Sequence, residues 1–109
     1  MADIVIHIAD EFSDAPGARY KTDGDSSGEE FYSSLLKPRF EKALQSNSKL
    51  FIDLDGTYGY ATSFISEAFG TLSKDFGVEI VLTNLKFKSD EDLKLVSYIK
   101  KIINNPNAT

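Results

Sequence analysis

The segment from Leu50 to Gly70 constrains the fold of this chain more than any other. A short apolar run ends in Asp53 and Asp55, a glycine-containing turn follows, and an amphipathic pattern begins at Thr62. Such an order indicates a strand that leads through a turn into a covering helix. The segment therefore predicts a layered α/β protein rather than an all-helical or all-strand one.

The rest of the chain repeats this alternation of strand and helix. We predict strands at 4–8, 50–54 and 78–82, with a short edge strand at 18–22. Helices are expected after the capping residues Ser26 and Ser89 and from about Thr62, and Pro38 should kink or divide the first of them. The predicted architecture is a single α/β domain over 1–109, with a mixed sheet of about four strands, helices mainly on one face, and a flexible tail at 104–109.

Composition and charge narrow the classes of function. A formal charge of −5 leaves no electrostatic footprint for nucleic acid or for anionic membrane. The chain has no cysteine, one histidine (His7) and no cofactor-binding motif, so we expect no metal and no cofactor. No apolar run approaches the roughly 20 residues that span a bilayer, and the first residues lack the basic region of a signal peptide. A cytoplasmic protein is therefore expected.

The sequence Asp53-Leu54-Asp55-Gly56-Thr57 permits an enzymatic interpretation. In this form the haloacid-dehalogenase-type phosphatases use the first carboxylate as nucleophile, the second as acid or base, and Mg²⁺ between them. The lysine and the acidic metal-binding pair that this chemistry needs further along the chain have no clear counterpart after Thr83. We therefore favour a structural role, in which Asp53 and Asp55 accept backbone N–H bonds that shape the turn.

Two pairs of side chains around the turn have alternative interpretations. Tyr58 and Tyr60 either pack against the edge of the sheet or form an exposed surface for a protein partner, where tyrosine is favoured. Thr62 and Ser63 either cap the helix that follows or accept phosphate at its N-terminus, where free N–H groups and the helix dipole favour an anion.

Residues 27–70 resemble the STAS-like family of unknown function found in bacteria and phages. The resemblance is carried by Ser27-Gly28-Glu29-Glu30-Phe31 and by the block IDLDGTYGYATSFISEAFGTL. More distantly, the chain is similar to the STAS anti-sigma-factor antagonists, in which a serine of an Asp-Ser-Ser sequence is phosphorylated by a partner kinase. By position that sequence falls on Ala61-Thr62-Ser63, with alanine in place of aspartate. The resemblance implies Ser63 as the phosphate acceptor, with Thr62 beside it.

The resemblance implies a regulatory module rather than an enzyme, with no catalytic residues. The implied partner is a histidine-kinase-type ATPase or another regulator, bound by a monomer or weak dimer of this chain. Phosphorylation at Ser63 or Thr62 would release the partner by adding charge to the contact surface. A small-ligand or nucleotide-binding module is the alternative. The expected partner-binding surface consists of Tyr58, Gly59, Tyr60, Phe64 and Glu67.

Overall fold

The computed structural model describes residues 4–106 and is built on a three-stranded sheet. Strand β1 is Ile4–His7, β2 is Leu50–Asp53 and β3 is Leu85–Lys88. The strands are ordered β1-β2-β3 and are all parallel. The α/β class is thus confirmed, whereas the sheet within residues 4–106 has three parallel strands instead of the expected mixed sheet of about four.

Helices occupy most of the remaining described chain. The segment predicted as an edge strand at 18–22 instead leads into a short 3-10 turn, Lys21–Asp23. A π-helical segment, Tyr32–Leu36, joins two helices into one helical stretch at 28–45. The α-helices are α1 (Ile8–Glu11), α2 (Gly28–Phe31), α3 (Lys37–Gln45), α4 (Thr62–Phe76), α5 (Val78–Asn84) and α6 (Leu95–Asn104).

Pro38 was expected either to kink the helix or to begin a second segment, and the second expectation is confirmed, because α3 begins at Lys37 with Pro38 in its first turn. The N–H of Lys37 donates to the carbonyl of Tyr32, which is the wider spacing of a π-helix. Proline has no N–H to donate, and its ring collides with the carbonyl four residues earlier in a regular α-helix. The wider turns immediately before Pro38 accommodate both effects, so the helical stretch continues.

The prediction of a strand at 78–82 is wrong. This segment is helix α5, and the third strand begins only at Leu85. Val81 is buried, Val78 and Leu82 are half-buried, and Ile80 is exposed. Positions 78, 81, 82 and 85 lie on one face of a helix, and this pattern prevails over the alternation of 78, 80 and 82 that suggested a strand.

The last helix begins six residues after its predicted capping residue. Ser89 does not cap a helix, because its hydroxyl donates to the carbonyl of Asp92, 2.6 Å away, and α6 starts at Leu95. The tail predicted at 104–109 begins inside α6, which ends at Asn104. Residues 107–109 of that tail lie outside the described part of the chain.

The hydrophobic core lies on one face of the sheet. Ile6, Leu50 and Ile52 are fully buried there, whereas Val5 and Phe51, which point to the other face, are half-buried. Phenylalanine rings from α2 and α4 fill the space between the helices and the sheet. Ring centroids are separated by 5.5 Å for Phe31–Phe64, 6.4 Å for Phe31–Phe69 and 5.9 Å for Phe69–Phe87. Within residues 4–106, no helix is both long enough and apolar enough to cross a membrane.

Candidate functional site

The candidate site is the loop at 54–61, which leaves the carboxyl end of the central strand and leads into α4. Because all three strands are parallel, the loops that follow them meet at one edge of the sheet, where α/β proteins commonly bind their ligands. The turn begins as an Asx turn, in which Asp53 Oδ1 accepts the N–H of Asp55 at 3.0 Å. The predicted turn-shaping role of Asp53 is thereby confirmed.

Asp55 connects this loop to the loop that follows β3. Its Oδ2 accepts Lys88 Nζ at 2.9 Å and the N–H of Asp90 at 3.0 Å, and its Oδ1 accepts the N–H of Glu91 at 3.0 Å. The Glu91 N–H first, and then the Lys88 ammonium, lower the pKa of Asp55 to about 2. Glu91 returns the contact, because its Oε1 accepts the N–H of Gly56 at 2.6 Å. Asp55 thus holds two loops together, which extends its predicted structural role.

Asp53 and His7 form a polar pair across neighbouring strands. The Asp53 Oδ2 lies 3.1 Å from Nδ1 of His7, the residue directly beside it in the sheet. Both carboxylates of the Asp53-Leu54-Asp55 sequence are therefore engaged by protein groups. No group of three or more His, Cys, Asp or Glu side chains within residues 4–106 is arranged to hold a metal ion.

Tyr58 projects from the tip of the loop, with 89% of its surface exposed. Its backbone is held in place, since its N–H donates to the carbonyl of Asp14 at 2.7 Å and the next N–H, of Gly59, donates to Thr57 Oγ1 at 3.3 Å. Gly59 has φ of 135°, a conformation that favours glycine. A fixed backbone therefore presents a large aromatic side chain to solvent.

Tyr60 has a different role from Tyr58. Its hydroxyl donates to the carbonyl of Leu54 at 2.8 Å, and its ring centroid lies 6.0 Å from that of Phe64. Burial raises the pKa of the Tyr60 hydroxyl, which remains protonated and able to donate. Tyr60 thus braces the loop from inside.

The other predicted partner-binding residues, Phe64 and Glu67, differ in their exposure to solvent. Phe64 is completely buried in the core, where no partner can contact it in this conformation. Glu67 is half-buried; its Oε1 lies 3.9 Å from Arg19 Nη1, and its Oε2 accepts the Thr71 hydroxyl at 3.3 Å. The accessible part of the predicted surface is therefore Tyr58 and Gly59.

The hydroxyl pair at the start of α4 does not cap the helix. Ala61 occupies the capping position and makes no side-chain bond, while Thr62 is the first helical residue. The interpretation of Thr62 and Ser63 as N-caps is therefore wrong. Thr62 is exposed, whereas Ser63 is half-buried and its hydroxyl lies 3.5 Å from the carbonyl of Gly17. The pair is left without a capping role.

A cleft of about 670 Å³ opens beside the first turns of α4. Thr62 and Ser66 line it from α4, Tyr98 and Lys101 line it from α6, and Arg19 lines it from the loop after α1. Sequence reasoning did not include Arg19 or Lys101, which lie 43 residues before and 39 residues after Thr62. In the sequence, these two residues are marked only by their positive charge in an acidic chain. A charge alone does not show where in the fold a residue lies.

The family model of the STAS-like domain of unknown function (DUF4325) matches residues 27–94, more than half of the chain. The chain belongs to this family. The matched part of the STAS-like domain extends from the cap of α2 to the residue before α6, and it contains the whole of the 54–61 loop. Searches of curated proteins and of solved structures gave no match.

Proposed function

We propose that this STAS-like domain is a regulatory module without enzymatic activity, which binds a protein partner through residues 56–63, in the 54–61 loop and the first two positions of α4, and through the rest of that helix. The observation that carries the proposal is the exposure of Tyr58 on a loop with a hydrogen-bonded backbone. Tyrosine is enriched among the residues that dominate binding energy in protein interfaces. A loop already fixed in the free protein loses little conformational entropy on binding, which favours affinity.

Phosphorylation of Thr62 is the proposed switch. Thr62 is exposed and lines the cleft, whereas the hydroxyl of Ser63 faces the carbonyl of Gly17. A phosphate adds a charge of about −1.5 to −2, which the N-terminus of α4 and the cations Arg19 and Lys101 would favour. The distant resemblance to anti-sigma-factor antagonists points to Ser63; accessibility favours Thr62. A histidine-kinase-type ATPase or another regulator is the class of partner that this chemistry suits.

The partner surface is tested by affinity purification of the tagged chain from its native host, followed by mass spectrometry. We expect Tyr58→Ala to lose the main co-purifying protein without loss of thermal stability, since the side chain makes few internal contacts. Tyr20→Ala is the matched control, because Tyr20 is also exposed, at 46%, but lies outside the loop. Equal recovery of the partner by both variants, or equal loss, would contradict the proposed surface.

The switch is tested on the same purified material. Phosphate on the peptide that spans Thr62 and Ser63, together with loss of the partner in Thr62→Glu, is the expected result. Thr62→Val and Ser63→Ala are the controls, because they add no charge and should retain the partner. If Thr62→Glu binds the partner as tightly as the unmodified chain, the module binds without this switch.

A second candidate is the binding of a nucleotide or another small anionic ligand in the cleft. The volume of the cleft, about 670 Å³, is within the range of small-molecule sites. Its lining offers positive charge from Arg19 and Lys101 and an aromatic ring from Tyr98. Stabilisation by nucleotides in a thermal-shift assay, lost in Arg19→Ala, would favour this candidate. The absence of any shift would count against it.

A further inference from the structure

The two edges of the sheet differ in whether side chains bond to their outward backbone groups. At the β1 edge, Arg39 Nη1 donates to the carbonyl of Val5 at 2.9 Å, and the N–H of His7 donates to Glu11 Oε2 at 2.9 Å. Arg39 and Glu11 are themselves joined, with Nη2 and Oε1 separated by 2.8 Å. Side chains thus occupy the carbonyl of Val5 and the N–H of His7, two of the backbone groups that an added strand would use at this edge.

In the described part of the chain, no side chain bonds to the outward backbone groups of the β3 edge in this way. Because the Leu54 N–H donates to Lys88 at 2.8 Å, the parallel register directs the backbone groups of Lys86 and Lys88 toward β2 and those of Leu85 and Phe87 outward. The Leu85 N–H is used by the carbonyl of Val81 at the end of α5. Among residues 4–106, no hydrogen bond reaches the backbone N–H or C=O of Phe87. These two groups are therefore available to a further strand.

A cavity of about 350 Å³ adjoins the uncovered edge. Leu82, Leu85 and Val96 contribute apolar side chains to its lining, and the exposed lysines Lys86 and Lys100 line it as well. Side chains alternate along an added strand, so every second one would meet the apolar lining while the others would lie on the face of the sheet to which Lys86 points. The edge thus combines a backbone template with pockets for alternate side chains, which is how strand addition achieves specificity.

The charges of the edge decide what fits it. Lys88 is already paired with Asp55 and Asp90, whereas Lys86 on β3 and Lys100 beside the cavity have no carboxylate partner among residues 4–106. A second copy that paired through its own β3 would bring lysines against lysines, and like charges on neighbouring strands are destabilising. We infer that the β3 edge is a strand-addition site for an extended segment of another protein in which apolar and acidic residues alternate.

The inference is tested with short synthetic peptides and amide NMR spectra of the full chain. We expect a peptide of alternating valine and glutamate to produce saturable shifts at Phe87 and to slow hydrogen exchange of its amide. A peptide of alternating valine and lysine should produce neither effect. Methylation of alternate backbone nitrogens should abolish binding of the glutamate peptide in the phase that directs the methyl groups toward β3, and should largely spare it in the opposite phase. Equal binding of the two methylated peptides would overturn strand addition.

Charge reversal provides the matched variants. We expect Lys86→Glu to weaken binding of the glutamate peptide by about five-fold or more, since it replaces attraction with repulsion next to the added strand. Lys42→Glu changes the net charge equally at an exposed position on α3 and should leave binding unchanged. Equal effects of both variants would overturn the inference, as would Phe87 shifts that depend on protein concentration alone. Tyr58→Ala should bind the peptide normally, so this test and that of the loop surface fail independently.

Discussion

Ser27 begins the helical stretch at 28–45 with a completely buried hydroxyl. Its Oγ accepts the N–H of Glu30 at 3.0 Å, which satisfies one of the free N–H groups of the first turn. The sequence pattern placed the cap one residue earlier, at Ser26, because Ser26 and Glu29 have the spacing of a capping box. In the structure Ser26 has φ of 59°, and Glu29 accepts the N–H of Lys21 instead. The capping preference of serine thus located the start of the helix to within one residue.

Substitutions of Ser26 and Ser27 should have different effects on the free energy of unfolding. Ser27→Ala should lower the free energy of unfolding by about 1 kcal/mol, because a buried cap is lost. Ser26→Gly should cause no loss, since glycine tolerates the left-handed conformation of Ser26. Urea denaturation of both variants measures the difference. A larger loss for Ser26→Gly than for Ser27→Ala would mean that Ser26 is the cap.

Helix α2 approaches α4 so closely that a side chain would not fit between them at Gly28. A Cβ atom placed on Gly28 would lie 2.6 Å from the carbonyl oxygen of Phe64 and 3.0 Å from Cβ of Glu67. Backbone atoms cannot yield as a flexible side chain can, so the helices would have to separate. The contact fixes α4, and with it the start of the helix that follows the candidate loop.

Two glycine-to-alanine substitutions distinguish the effect of this close contact on stability from the effect of helix propensity. Gly28→Ala should destabilise the fold by about 1–3 kcal/mol through overpacking. Gly70→Ala should stabilise it by about 0.5–1 kcal/mol, because its Cβ would make an ordinary 3.7 Å contact with Ile102 and alanine favours a helix. Thermal unfolding of both variants measures the signs. A stabilising effect at Gly28 would show that the helices are further apart.

Prediction from sequence succeeded where local pattern and environment agree, and failed where they compete. Helix α4 was placed correctly because its buried side chains recur at helical spacing over 15 residues. Segment 78–88 was assigned wrongly because Val78, Val81 and Leu82 fit a helix as well as a strand. Apolar and charged residues alternate in the neighbouring segment Leu85–Lys88, which pairs with the central strand although no strand was predicted there. Only the packing around β2 decides between such short patterns.

The candidate site was predictable in part for the same reason. Tyr58 and Thr62 belong to one continuous segment, so the sequence placed them together. The residues that complete their surroundings, Asp14, Arg19 and Lys101, arrive from elsewhere in the chain. No local pattern relates them to the loop, because the three-dimensional fold brings them there.

The molecule as a whole should lose stability in acid through carboxylates that are better bound in the folded state. Hydrogen bonds from Glu91 and Lys88 lower the pKa of Asp55 to about 2, and the bond from Arg39 lowers the pKa of Glu11. A carboxylate with a lowered pKa stabilises the fold above its unfolded pKa, and this contribution disappears as the pH falls toward the folded value. For Asp55 the loss occurs between about pH 4 and about pH 2.

Asp55→Asn tests this origin of acid sensitivity. We expect the variant to be less stable than the unmodified chain at neutral pH, with a difference that shrinks between about pH 4 and about pH 2. Urea denaturation over a pH series measures it. Asp90→Asn is the control, because Asp90 is 79% exposed and its removal should matter little. A deficit for Asp55→Asn that stays constant down to pH 2 would rule out a role of the carboxylate charge.

The all-parallel sheet also determines the order in which the molecule can form. Paired strands are far apart in sequence, since Ile4 pairs with Leu50, 46 residues on, and Leu50 pairs with Leu85, 35 residues on. No hairpin can nucleate the sheet, and pairing between distant segments slows folding. On the ribosome, α2, α3 and α4 are all synthesised before β2 can gain its second neighbour. The nascent chain therefore contains these three helices before it contains β3, the third strand of the sheet that they cover.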